Sequence, residues 1–267
     1  EEAVATFTYH RSASHSLFVL AAVSPLMTRL VLSLQPALQK YKKETFWLVF
    51  LALFTHPLLD AFTVYGTQLF WPLTDYPVSG STIFIVDPAY TLWLLVGFIS
   101  AMVINREKSL GHKLNTAGLV LSSLYLSWTV VAKVLVDTRF EQALLDEGLA
   151  FDQVMTTPAP FTTLEWRIIG RNETGYFDAF TPVFGSTEDI MFNHYSSEDY
   201  LLESIDTHWP VKRLHNFTHG YYKVSRRGSD ILITDLRMGL EGSYVFNFKV
   251  AEFSGAEIVP VISIQFP

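Results

Sequence analysis

The chain has 267 residues, 49% of them hydrophobic and 17% charged, with a mean hydropathy of +0.25, too apolar for an ordinary soluble domain. Its formal charge of −7 is uneven: residues 1–136 carry nine Lys/Arg against seven Asp/Glu, and residues 137–267 carry ten against nineteen. The acidic half disfavours nucleic acid as a partner, and the lack of cysteine excludes disulfides, thiolate metal sites and a cysteine nucleophile.

The chain begins at Glu1, with neither Met nor a signal-peptide pattern, and the expectation is a fragment lacking an N-terminal segment. Residues 1–16 are polar and include His10, Arg11 and His15. Leu17–Leu34 is the first apolar run, just long enough to span a bilayer core, which needs about 20 residues. A basic loop with Lys40, Lys42 and Lys43 follows. Phe46–Val64 is the second apolar run, and a Pro/Gly-punctuated aromatic loop covers 65–88. Ala89–Ile104 is the third run, 105–114 a second basic loop with Arg106, Lys108 and Lys113, and Asn115–Val136 the fourth run.

After residue 136 the composition changes. Asp137–Phe151 reads as a short amphipathic helix and 155–161, with two prolines, as a linker. Short β-type runs follow at 164–171, 176–184, 189–194, 217–225, 231–236, 244–253 and 257–266, with hairpin turns at 172–175 and 226–230 and a helix at 198–205. The expected fold class is α+β. A four-helix transmembrane domain (1–136) leads through an amphipathic helix and linker (137–157) to a small, mainly antiparallel β domain (158–267) outside the membrane.

Cytoplasmic loops collect Lys and Arg, so the 35–45 and 105–114 loops are expected to face the cytoplasm. The N-terminal stretch, the 65–88 loop and everything after 136 then face the periplasm. That places His10, His15, His56, Asp60 and Asp87 at the outer ends of their helices, where they can converge.

His56 and Asp60 lie four apart, on one face of a helix about one turn from each other. An imidazole and a carboxylate there can grip one metal ion or share one proton. Ionisable groups in an apolar helix are costly and raise a functional hypothesis; the other reading is a polar pair holding two helices together. His10 and His15 are metal-ligand candidates or interfacial polar residues at a helix start. Asp87 is a candidate ligand or base, and Arg11 suits a phosphate or carboxylate, or a pair with Asp87. Thr63, Tyr65 and Thr67 offer hydroxyls beyond Asp60. His215 and His219, also four apart, read as structural, as does an ion pair of Asp235 with Arg237.

Tyr9-His-Arg-x-x-x-His-Ser16 and His56-x-x-x-Asp60-x-x-Thr63-x-Tyr65-Gly-Thr67 together resemble the bacterial membrane-bound metal-dependent hydrolases, the LexA-regulated inner-membrane (YdjM-like) group. Pro158-x-Pro-Phe-x-x-Leu-x-Trp-Arg167 and Thr234-Asp-Leu-Arg237 resemble the C-terminal extension of some members. The group is related to the helical phospholipase C and P1-nuclease proteins, in which His-x-x-x-Asp on a helix supplies zinc ligands. The resemblance implies that His10 or His15, with His56 and Asp60, binds a divalent metal, zinc. Family members usually begin with a further His-containing helix and a Pro-Asp-x-Asp loop, which these 267 residues do not contain.

The expectation is therefore a multi-pass protein of the bacterial inner membrane catalysing metal-assisted hydrolysis. His10, His15, His56 and Asp60 are its ligands, with Asp87 and Arg11 in catalytic roles. The substrate is a small molecule or lipid, a lipid or lipid-linked phosphoester by the depth of the site, and membrane lipid is the expected partner. The rival reading is a non-catalytic membrane protein whose β domain binds a cell-envelope partner.

Overall fold

A computed structural model describes residues 2–104, 109–147, 152–172 and 174–266. The fold is α+β, a helical N-terminal part followed by two four-stranded sheets. The chain forms two compact units, residues 1–80 with 173–175 and 196–267, and residues 81–172 with 176–195. The sequence-based segmentation at 136 and 158 runs differently. In place of one β domain over 158–267 there are two sheets, one belonging to each unit.

The first unit opens with α1 (Ala3–Tyr9), a helix inside the stretch read as polar. Val4, Phe7 and Thr8 recur at helical spacing and are its buried residues. Ser16 then caps α2 (Leu17–Leu34), its hydroxyl accepting from the Val19 amide at 3.3 Å. A 3-10 stretch over Pro36–Tyr41 leads into α3 (Lys42–Asp60), which packs back on α2. The same unit contains α6 (Trp209–Phe217) and the sheet of β5 (Tyr222–Arg227), β6 (Asp230–Asp235), β7 (Asn247–Ser254) and β8 (Glu257–Phe266). The expected 226–230 turn is a two-residue Gly228-Ser229 hairpin, with Gly228 at φ +66°.

The core of this unit is shared between distant segments. Val4, Phe7 and Tyr65 bury themselves with Leu214, Phe217, Ile231, Ile233 and Phe248. The Val4 amide donates to Ser263 Oγ on β8 at 3.1 Å. The C-terminal sheet is thus built around α1 and the segment that follows α3. Both α1 and α6 escape the reading by runs because each is short, although Pro210 at the start of α6 and its buried Val211, Leu214 and Phe217 carry a helix signal.

The second unit contains α4 (Pro88–Val103), capped by Asp87, and α5 (Leu110–Glu147). These helices approach closely through glycines: a Cβ on Gly118 would lie 2.4 Å from the Trp93 carbonyl oxygen. The expected break at 136 is absent, and one helix of 38 residues runs through it. Its far end is fastened by the sheet of β1 (Gln153–Pro158), β2 (Glu165–Asn172), β3 (Gly175–Pro182) and β4 (Asn193–Ser196). Phe140 and Ala143 pack with Ile168, Phe177 and Ala179, and Lys133 donates to the Thr156 hydroxyl at 2.7 Å. The expected linker at 155–161 corrects to strand in its first part, because β1 pairs antiparallel with β2 from Gln153↔Arg171 to Pro158↔Trp166. Arg106 and Lys108, residues 148–151 and Glu173 of the expected turn lie outside the described residues.

Among the described residues, two helices are long and apolar enough to cross a membrane, α2 and α5. At 16 residues, α4 is a shorter apolar helix. The 19 residues of α3 begin with Lys42, Lys43 and Glu44 and end on His56, Pro57 and Asp60, which lowers its hydropathy.

Candidate metal centre

Two short local structures bring the site together. The α1 helix ends at Tyr9, and a 3-10 turn over Ala13–His15 sets His15 just before the first residue of α2. The last turn of α3 carries His56 and Asp60 on one face. The loop after α3 then docks on the entry to α2: the Leu17 amide donates to the Leu69 carbonyl at 3.0 Å, and the Gln68 amide to the Arg11 carbonyl at 2.9 Å.

Asp60 Oδ2 is the centre of the group. It lies 3.1 Å from His15 Nε2, 3.8 Å from His56 Nε2 and 3.4 Å from Arg11 Nε. The two Nε2 atoms are 3.2 Å apart. Zinc bound tetrahedrally at about 2.0–2.1 Å has ligand–ligand edges of roughly 3.3 Å. The triangle of His15, His56 and Asp60 has that size, so these donors fit a divalent metal. Among the described residues they form the one such group. The side chains of His15 and Asp60 are 12% and 18% exposed and that of His56 is 60% exposed, so the triangle opens to the surroundings on the His56 side.

Neighbours fix these groups. Ser14 Oγ lies 2.9 Å from His15 Nδ1 and accepts its proton in the tautomer that leaves Nε2 free. Thr63 donates to the Asp60 carbonyl at 2.7 Å and accepts from Arg11 at 3.3 Å. The Arg11 guanidinium lies over the Tyr65 ring, 4.5 Å from its centroid. Burial pushes the Tyr65 phenol up to about 12, so it stays neutral and donates to the Phe7 carbonyl at 2.9 Å.

Of the residues singled out in the sequence, Arg11, His15, His56, Asp60, Thr63 and Tyr65 are brought together. His10 is not in the group: it is exposed at the end of α1, with its ring edge-on to Tyr65 at 6.5 Å between centroids. Asp87 belongs to the other unit, where it accepts from the Tyr90 amide at 3.1 Å and from the Tyr125 hydroxyl at 2.9 Å. Arg11 pairs with Asp60 and not, as the sequence reading allowed, with Asp87. Ser14, which meets His15 Nδ1, carries no signal in the sequence beyond its adjacency to His15. His215 lies exposed on α6 near the Tyr222 hydroxyl at 3.4 Å, and His219 donates to the Pro77 carbonyl at 3.0 Å.

The residues that build this group all fall within the part of the chain, residues 2–136, that matches the family model described as YdjM inner membrane protein. The chain belongs to the YdjM inner membrane protein family. Comparison with curated proteins and with solved structures yields no match. Membership agrees with the apolar α2 and α5 and makes this a membrane protein. The C-terminal sheet that packs on α1 lies beyond the matched region.

Proposed function

We propose that this YdjM-family protein is a metal-dependent hydrolase of the inner membrane, acting on a lipid or lipid-linked phosphoester. The observation that supports it is the triangle of His15, His56 and Asp60, with edges of 3.1–3.8 Å and Arg11 alongside. Three protein donors with an open side follow the pattern of hydrolytic rather than structural zinc sites.

His15, with Nδ1 held by Ser14, presents the Nε2 lone pair, and His56 presents its own from the exposed side. Asp60 supplies a negative charge that offsets a dication. A divalent metal bound there would act as Lewis acid and bring the pKa of a bound water towards neutrality. Arg11, with Nε near Asp60 and its plane over Tyr65, would bind an anionic oxygen of the substrate and stabilise charge that develops on it.

In this reading all four helices α2–α5 cross the bilayer. The basic turn at 35–45 faces the cytoplasm, and the metal centre and both sheets face the periplasm. At about 1.5 Å per residue, 38 residues of α5 extend some 57 Å. A bilayer core takes about 30 Å, and the remainder is the part that β1–β4 fasten.

The test is hydrolysis by the purified full-length protein in detergent. Phospholipid and a soluble aryl phosphodiester are offered side by side, after chelation and after zinc is restored. Zinc-restored turnover that favours the lipid is expected. No turnover of either substrate by zinc-loaded protein would sink the hydrolase reading and favour a non-catalytic role at the envelope.

A further inference from the structure

Arg237 and Asp235 form an ion pair that is 1% and 0% exposed, with distances of 2.9 Å from Nε to Oδ1 and 2.7 Å between the other nitrogen and Oδ2. Asp235 also accepts from the Arg237 backbone amide at 2.9 Å. The fork is therefore held rigidly, and one guanidinium nitrogen remains to reach out of the sheet. It donates to the Val64 carbonyl at 3.4 Å, 173 residues away in sequence and four beyond Asp60. Val64 precedes Tyr65, whose ring carries Arg11, and Arg11 pairs with Asp60.

A second arginine holds the other segment of the site. Arg213 on α6 is buried, donates through Nε to Thr8 Oγ1 at 2.9 Å and pairs with Asp75. Its guanidinium lies over the Tyr9 ring at 4.6 Å. Tyr9 is two residues before Arg11. Both arginines come from the C-terminal region beyond the family match.

We infer that Arg237, held by Asp235, is a positioning residue for the metal centre: it fixes the Val64–Tyr65 backbone on which Arg11 rests beside Asp60, with Arg213 fixing the Thr8–Tyr9 end. This rests on the metal reading above. Buried charge pairs are expensive and are often no more stabilising than apolar packing, so stability alone accounts poorly for an arginine here. A bidentate guanidinium that also grips a distant carbonyl does a job that lysine, a point charge, cannot copy.

The test compares full-length Arg237→Lys with Arg167→Lys in detergent. The second variant disturbs another buried pair, Arg167 with Asp178, in the other unit. Zinc affinity is measured by chelator competition, melting temperature on the same samples, and amide exchange at Thr67 and Gln68. Losing a group that orients a ligand typically costs about 10–100-fold in affinity. Arg237 acts through Val64, Tyr65 and Arg11 and touches no ligand, so Arg237→Lys is expected to weaken zinc measurably but by no more than the low end of that range and to speed exchange at Gln68, whose amide bonds to the Arg11 carbonyl. Arg167→Lys should lower the melting temperature with neither effect. Unchanged exchange at Gln68 in Arg237→Lys overturns the inference, as does unchanged zinc affinity with a lowered melting temperature. Wild-type protein that binds no zinc would instead overturn the metal reading, and exchange at Gln68 would still decide whether Arg237 orders this segment.

Discussion

His15 and His56, 41 residues apart, face each other with Nε2 atoms 3.2 Å apart, and both point at the same oxygen of Asp60. Two imidazoles at that distance need a proton or a cation between them, since two bare lone pairs repel.

The metal reading predicts that His15→Ala, His56→Ala and Asp60→Asn each lower zinc affinity by at least about 10–100-fold, the cost usual for merely disturbing a ligand's support. His10→Ala should leave it unchanged, because His10 lies outside the triangle. A network of hydrogen bonds without metal predicts something else: a stability loss of about 1–3 kcal/mol where the largely buried His15–Asp60 pair is broken, a smaller one for the exposed His56, and metal content unaffected. Zinc stoichiometry and melting temperature measured on the same four variants separate the two. Full occupancy in all four would leave the hydrolase proposal without its site.

The pH dependence of stability should carry a contribution from His219. Burial holds its pKa below the ordinary 6.5, although the Pro77 carbonyl works the other way. The unfolded chain therefore binds this proton first as pH falls. Stability from His219 is fully present above about 6.5 and is lost as pH drops through the window below it, with a slope of at most about 1.4 kcal/mol per pH unit. His219→Asn suits the positive φ of 55° at this position and removes the titration. Melting curves from pH 7.5 to 5.5 should fall more steeply for wild type than for the variant. Parallel curves would rule out His219 as a source of acid sensitivity.

The four-crossing arrangement predicts opposite sides for Lys42, the first residue of α3 in the basic 35–45 stretch, and Gly185, in the loop after β3. Reporter fusions at the two positions should show cytoplasmic and periplasmic signals respectively. Signals from the same side would reverse the proposed orientation of the sheets relative to that turn.

The sequence by itself determined the local features. Leu17–Leu34 is read as a helix with the same ends it has in the fold, because an apolar run bounded by Ser16 and a polar turn leaves little choice. The Gly228 hairpin follows from chain chemistry that only a glycine satisfies cheaply. His56 and Asp60 share a face because helical spacing alone puts them there. What crosses the chain was settled by packing. Nothing near His10 or His15 says which imidazole meets Asp60; the 3-10 turn and the docking of Leu69 and Gln68 choose His15. Asp87, level with the others by hydropathy, is spent on capping α4 and receiving Tyr125. The C-terminal sheet reads as a separate domain from composition. In the fold, Val4, Phe7 and Tyr65 complete its core, and Arg237 returns to Val64. Burial of apolar surface is non-directional and indifferent to separation along the chain, so which segments share a core was decided only by the tertiary structure.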